Sequence, residues 1–186
     1  LDNRASGTFG SLTFGSSRNL TWAPGATLTI ANWAGSEGTS GTKYRIYVTS
    51  PDGGITPGLT PDQLRKIRFT PFCQGALLRP DGELVPAGSP FISSITSLPG
   101  NSNFAYDGST IRLTGCKFTD VTEVKVGSTV IDPTTITITG DSQLDFIYTE
   151  LLTIDKITLT TSAAKIGISA DSIKKLGYIS TASGDW

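Results

Sequence analysis

Short runs in which apolar and polar residues alternate dominate the chain. Leu12 and Phe14 share one face of a period-two run, as do Leu20 with Trp22 and Leu28 with Ile30. Gly15 to Ser17 and the Pro24-Gly25 pair separate these runs as turns. Tyr44 to Val48 reads as a further strand, between Gly/Ser/Thr-rich loops at 35–42 and 51–58. One helical turn is specified locally. Thr60 predicts the N-cap, Pro61 suits the first helical position, and Gln63 completes a capping box, with Leu59 and Leu64 at staple positions. Alternation resumes at Ile67 to Phe69, so this helix is short. The segments 75–78 and 83–85 flank Arg79-Pro80-Asp81-Gly82 as a hairpin.

Pro86 to Pro90 marks a boundary, giving a β-rich first domain over 1–88 and a second over 89–186. Beyond it the alternation is more regular. Ile111 with Leu113, Val124 with Val126, Ile136 with Ile138, Leu144 with Phe146 and Tyr148, and Ile157 with Leu159 each define a buried face. Strands at this spacing, separated by Gly and Asp turns, predict a small antiparallel sandwich. Ile166 and Ile168 suggest another strand. Asp171 to Leu176 followed by Gly177 predicts a helical turn with a glycine stop, and Tyr178 to Ser180 a last strand.

Composition narrows the chemistry. The 186 residues include 21 Gly and 10 Pro, and only 17% are charged, which suits strands and turns rather than a helical bundle. Fifteen basic against sixteen acidic residues give a net charge of -1, so nothing favours nucleic acid or an anionic membrane as partner. There is no His, which removes the commonest general base and metal ligand together. No apolar run is long enough to span a bilayer as a helix. Met is absent even at position 1, which fits a mature exported protein or a cut segment.

The stretch 90–164 resembles an IPT/TIG domain. The resemblance rests on Phe91 to Ile95 as opening strand, on Asp107 to Phe118, on Val121 to Gly127, on Asp141 to Leu144 and on Ile157 to Ser162, in that order. It implies an immunoglobulin-like antiparallel sandwich, in an all-β chain of two β-rich domains. It also implies a role as spacer, adhesive stalk or binding module, with no catalytic set and no cofactor. Cys116 stands where such domains usually carry a small polar residue. The first 88 residues resemble a segment of repetitive bacterial surface proteins, through Pro24 to Trp33, Gly58 to Phe69 and Gly75 to Pro86. Both resemblances imply the bacterial cell surface.

Candidate sites are few. Cys73 and Cys116 lack metal-ligand spacing; they form either a disulfide or two buried thiols. A bond between them would close a long loop and stabilise the fold by about 4 kcal/mol in the chain-entropy view. No G-x-S-x-G elbow is present, and a Ser triad cannot form without His. Asp81 with Glu83, and Asp120 with Glu123, are the nearest carboxylate pairs, and turn and strand-face positions account for them. Asp107, Asp120, Asp132, Asp141 and Asp145 fall near loops but form no calcium-loop motif. Trp33, Tyr44 and Tyr47 are candidate sugar-stacking contacts, since aromatic faces suit pyranose rings; Trp22 reads as core.

Strand edges are the remaining feature. Few charged residues guard Thr8 to Thr13, Thr21 to Asn32 or Thr134 to Thr139, so these edges could accept an added strand. Phe9, Leu12, Phe14, Tyr178, Ile179 and Trp186 are the candidate assembly contacts, by which copies would join head to tail. The expectation is therefore a non-catalytic, exported structural or adhesive surface protein. It could be a self-assembling filament subunit, partnered by copies of itself or by other surface proteins. The alternative is a carbohydrate-binding module with glycan partners.

Overall fold

The structure, a computed structural model, describes residues 10–14, 23, 25–48, 59–100, 103–149 and 155–175. The chain is nearly all β and divides into two compact units, Leu1–Phe91 and Ile92–Trp186. Phe9, Tyr178, Ile179 and Trp186, and the strand expected around Leu20 and Trp22, lie outside the described residues. No helix among the described residues is long and apolar enough to cross a membrane.

The first unit contains β1 (Gly10–Phe14), β2 (Leu28–Ile30), β3 (Tyr44–Val48), helix α1 (Pro61–Arg65), β4 (Ile67–Phe69), β5 (Ala76–Leu78) and β6 (Glu83–Pro86). One sheet has the order β1-β3-β6-β5, and β2 pairs with β4. The β5–β6 pair is the hairpin read from the sequence, turning at Gly82 with φ +84°. α1 begins as its capping box dictates. The Thr60 hydroxyl accepts from the Gln63 N–H at 3.2 Å, and the Gln63 side chain accepts from the Thr60 N–H at 2.8 Å. Leu59 and Leu64 then join a core that holds Ile30, Trp33, Ile46, Val48, Ile67, Phe69, Leu84 and Val85. Two pairings, β1 with β3 and β2 with β4, are parallel, so distant segments meet that no hairpin joins.

The second unit contains β7 (Phe91–Leu98), β8 (Phe104–Ala105), β9 (Thr110–Cys116), β10 (Val121–Val126), β11 (Thr129–Val130), β12 (Thr137–Thr139), β13 (Gln143–Ile147), β14 (Lys156–Thr161), β15 (Ile166–Ser172) and β16 (Lys174–Lys175). Two four-stranded sheets, ordered β11-β10-β14-β15 and β12-β13-β9-β7, supply one shared core. Ile111, Leu113, Val124, Val126, Leu144, Phe146, Tyr148, Ile157 and Leu159 are all wholly buried, as the alternation predicts. Completely burying such side chains stabilises by about 1.5–3 kcal/mol each, which is enough to hold two sheets face to face. Ile136 and Ile138 pack partly against the same core.

The tail differs from expectation. In place of a helical turn over Asp171 to Leu176, β15 continues to Ser172 and β16 follows as a strand parallel to β8. Ile173 between them is wholly buried, and its N–H bonds to the Asp155 carbonyl at 3.1 Å. Over the described residues 171–175, burial of Ile173 and pairing with a segment about seventy positions earlier favour extended backbone over the local helical pattern.

Candidate functional site

An aromatic pair stands out on the second unit. β8 alternates sharply: Ala105 is wholly buried in the core, while Phe104 and the following Tyr106 are 43% and 49% exposed. Period two therefore sets both rings on the outward side of one strand. Large aromatic area left in water on either side of a wholly buried alanine is the informative exception to burial. The support beneath it is fixed. Tyr106 opens a tight turn in which its N–H bonds to the Ser109 hydroxyl at 3.0 Å and its carbonyl accepts from the Ser109 N–H at 3.0 Å. Gly108, at φ +79°, supplies the left-handed residue of that turn. The turn is tied to the segment after β13: the Gly108 N–H donates to the Tyr148 carbonyl at 2.9 Å, and the Tyr148 N–H to the Ser109 carbonyl at 2.8 Å. At the other end the Asn103 amide donates to the Ser172 carbonyl at 3.2 Å. The rings are thus carried by backbone held at several points.

The outer face of the β12-β13-β9-β7 sheet is polar and internally paired. Arg112 lies opposite Asp145, which in turn lies opposite Thr137. The guanidinium makes two bonds to the carboxylate, at 3.0 and 2.7 Å, and the Gln143 amide adds a third at 3.1 Å. The bond to Asp145 holds the Arg112 guanidinium still more firmly in its charged form. Beside them, Thr114 bonds to Ser93 and Ser94. The Arg112 and Asp145 charges are paired within the face, which also presents Ile147, exposed on the same side of β13.

The residues named from sequence are distributed otherwise. Trp33 is 7% exposed and sits in the core of the first unit, edge-on to Phe69 with centroids 4.9 Å apart. It is therefore not the surface contact expected. Burying a large aromatic area against Ile30 and Phe69 outweighs the polar sequence around it. Tyr47 is half-buried and its hydroxyl accepts from Arg45 at 3.4 Å, while Tyr44 is placed only by its backbone, in β3. The Tyr47 bond raises the Arg45 guanidinium above its ordinary value. Leu12 and Phe14 are likewise placed only as backbone, in β1 beside Ile46 and Val48. Neither cysteine is a free thiol: Cys73 and Cys116 are both disulfide-bonded.

The acidic residues serve turns and caps. Asp132 accepts from the Thr134 N–H at 2.9 Å and from its hydroxyl at 2.7 Å; the hydroxyl, then the N–H, hold its carboxyl below the usual range. Partial burial pushes the Asp141 carboxyl up, but the backbone N–H groups of Lys117 and Thr119 and the Thr119 hydroxyl bring it below the usual range. Asp81 accepts from the Glu83 N–H at 3.1 Å. Glu83 is wholly buried and accepts from the Gly41 N–H, so it closes a loop rather than facing a substrate cleft. Among the described residues no group of three or more Cys, Asp or Glu is placed to hold a metal ion.

Sequence reading passed over Phe104 and Tyr106. The signal was there, as an aromatic-small-aromatic triplet directly before an Asp-Gly turn, but no local rule says which of the two faces is buried.

No protein-family profile matches the chain, and no curated protein matches it. Similar solved structures include a crystal structure of domains CD of another protein, at 22% identity and a TM-score of 0.39, covering 46% of this chain and 32% of that one. Another is SGBP-B from a complex xyloglucan utilization locus in Bacteroides uniformis, at 17% identity and a TM-score of 0.39, covering 57% of this chain and 31% of that one. The chain thus spans about a third of the length of each. Likenesses of this size assign neither fold family nor ligand to this chain.

Proposed function

We propose that this chain is a non-catalytic, exported module of the bacterial surface that binds carbohydrate through the exposed parts of the Phe104 and Tyr106 side chains. The observation that carries the reading is the exposure of Phe104, in β8, and of Tyr106 just after it, with Ala105 buried between them. Stacking on the C–H faces of sugar rings uses such a surface, because it removes apolar area from water without needing a charge. The IPT/TIG resemblance of 90–164 fits a binding module or spacer.

Affinity electrophoresis against a panel of soluble neutral polysaccharides tests the reading. At least one polysaccharide retards the parent protein, and Phe104→Ala and Tyr106→Ala each lose most of that retardation while keeping the parental circular dichroism. Retention of full binding in both variants, or no retardation by any polysaccharide, overturns it.

A further inference from the structure

We propose that β15 is a self-recognition edge that pairs antiparallel with the β15 of a second copy of this chain, about a two-fold axis at Ile168. Among the described residues the β11-β10-β14-β15 sheet ends at β15. The Thr161 N–H donates to the Lys165 carbonyl at 3.0 Å, and Gly167 lies opposite Leu159. Alternation of the ladder then turns the backbone groups of Lys165 and Gly167 toward β14, and those of Ile166 and Ile168 away from it. Ile166 and Ile168 are 56% and 46% exposed, and Ala170 is exposed as well, while Gly167 and Ser169 are buried. A bulge between β14 and β15 lies opposite Ile157. It is absorbed on the inner side, where the Ser169 hydroxyl accepts from the Ile157 N–H at 2.8 Å and donates to the Asp171 carbonyl at 2.6 Å. The outward positions Ile166 and Ile168 lie before the bulge, and Ala170 lies within it, where Asp171 is exposed as well.

Charge selects both the partner and the direction. No charged residue or Pro interrupts 166–170, whereas Lys165 and Asp171 stand at its two ends. Edge strands are normally guarded by such residues within the run. Antiparallel pairing about Ile168 sets Lys165 of each copy opposite Asp171 of the other, Ile166 opposite Ala170, and Ile168 opposite its own counterpart. Parallel pairing would set Lys165 against Lys165 and Asp171 against Asp171. The arrangement is isologous, so it closes as a dimer and does not grow into a filament. Seven residue pairs bury less than the roughly 1,200–2,000 Å² of a standard interface, so the dimer forms in a concentration-dependent way.

Sedimentation velocity across a wide concentration range tests this with the full chain. A reversible monomer–dimer equilibrium is the expected result. Lys165→Asp alone and Asp171→Lys alone each weaken it by roughly tenfold, since cross-strand like charges repel. The double variant Lys165→Asp/Asp171→Lys restores the parental dimer, and Ile168→Lys abolishes it. A parental protein that stays monomeric throughout, species that grow beyond dimers, or a double variant no better than the single ones overturns the proposal. Matched melting curves for all variants separate these outcomes from misfolding.

Discussion

Gly41 donates its backbone N–H to the Glu83 carboxylate at 2.9 Å, across 42 positions of sequence, and that carboxylate is wholly buried. Arg79, from the same hairpin as Glu83, reaches the Gly38 carbonyl at 3.1 Å, and its Nε lies 4.0 Å from the other Glu83 oxygen. The β5–β6 hairpin thus holds the 35–42 loop by the backbone of Gly38 and Gly41. Glu83→Ala leaves a buried N–H without an acceptor and is expected to cost about 1–3 kcal/mol. Glu83→Gln keeps a carbonyl oxygen for Gly41 and is expected to cost less. Urea unfolding monitored by tryptophan fluorescence orders the three proteins, and equal midpoints for parent and Glu83→Ala would show that the contact contributes nothing.

Trp33 gives the second prediction. With its ring edge-on to Phe69 in the core, Trp33→Ala is expected to lower stability by about 3–5 kcal/mol, through lost burial and the cavity left behind. Trp33→Phe retains most of the packing and is expected to recover part of the loss. A surface ligand contact would behave in the opposite way, with unfolding midpoints unchanged and only binding altered. Chemical denaturation of the two variants decides between these roles.

What local rules could see and what they could not divides along chain distance. The capping box of Thr60 and Gln63 involves residues three apart and was legible, as was the inward set Leu144, Phe146 and Tyr148, because period two is a property of one strand. The burial of Trp33 and Glu83 depends on which remote strands close over them, so their neighbours in sequence suggested a surface tryptophan and a simple hairpin carboxylate. The same limit explains the tail, where β16 exists because it lies beside β8. It also explains the aromatic pair, since only the placement of Ala105 in the core decides that Phe104 and Tyr106 face out.

The oxidised cysteines give a third prediction. With Cys73 and Cys116 both disulfide-bonded, the protein in denaturant without reductant is expected to take up no iodoacetamide. After reduction and alkylation, two carbamidomethyl groups are expected per chain, since the sequence holds two cysteines. Intact mass spectrometry reads both states. Labelling of either residue before reduction would contradict the oxidised state. Because cross-links stabilise chiefly by restricting the unfolded chain, Cys73→Ser and Cys116→Ser are expected to lower the unfolding midpoint by similar amounts, and the double variant by no more than either.

Acid should weaken the second unit through two turn carboxylates. The Thr134 hydroxyl and N–H hold the Asp132 carboxyl below its usual range, and the donors at Lys117 and Thr119 do the same for Asp141. In the unfolded chain both revert to ordinary behaviour, near pKa 3.9. The folded state therefore binds fewer protons than the unfolded state between the two values, and stability rises with pH there. Their contribution is complete above the unfolded value and is lost as pH falls through the lowered folded values. Unfolding midpoints are expected to be flat near neutrality and to drop below about pH 4. Asn keeps an acceptor oxygen but has no carboxyl to titrate, so Asp132→Asn/Asp141→Asn should start slightly less stable at neutral pH and fall less steeply in acid. Both side chains are solvent-accessible, so the difference between the two profiles is small and needs closely spaced pH points. Superimposable profiles for parent and double variant would place the acid sensitivity on other carboxylates.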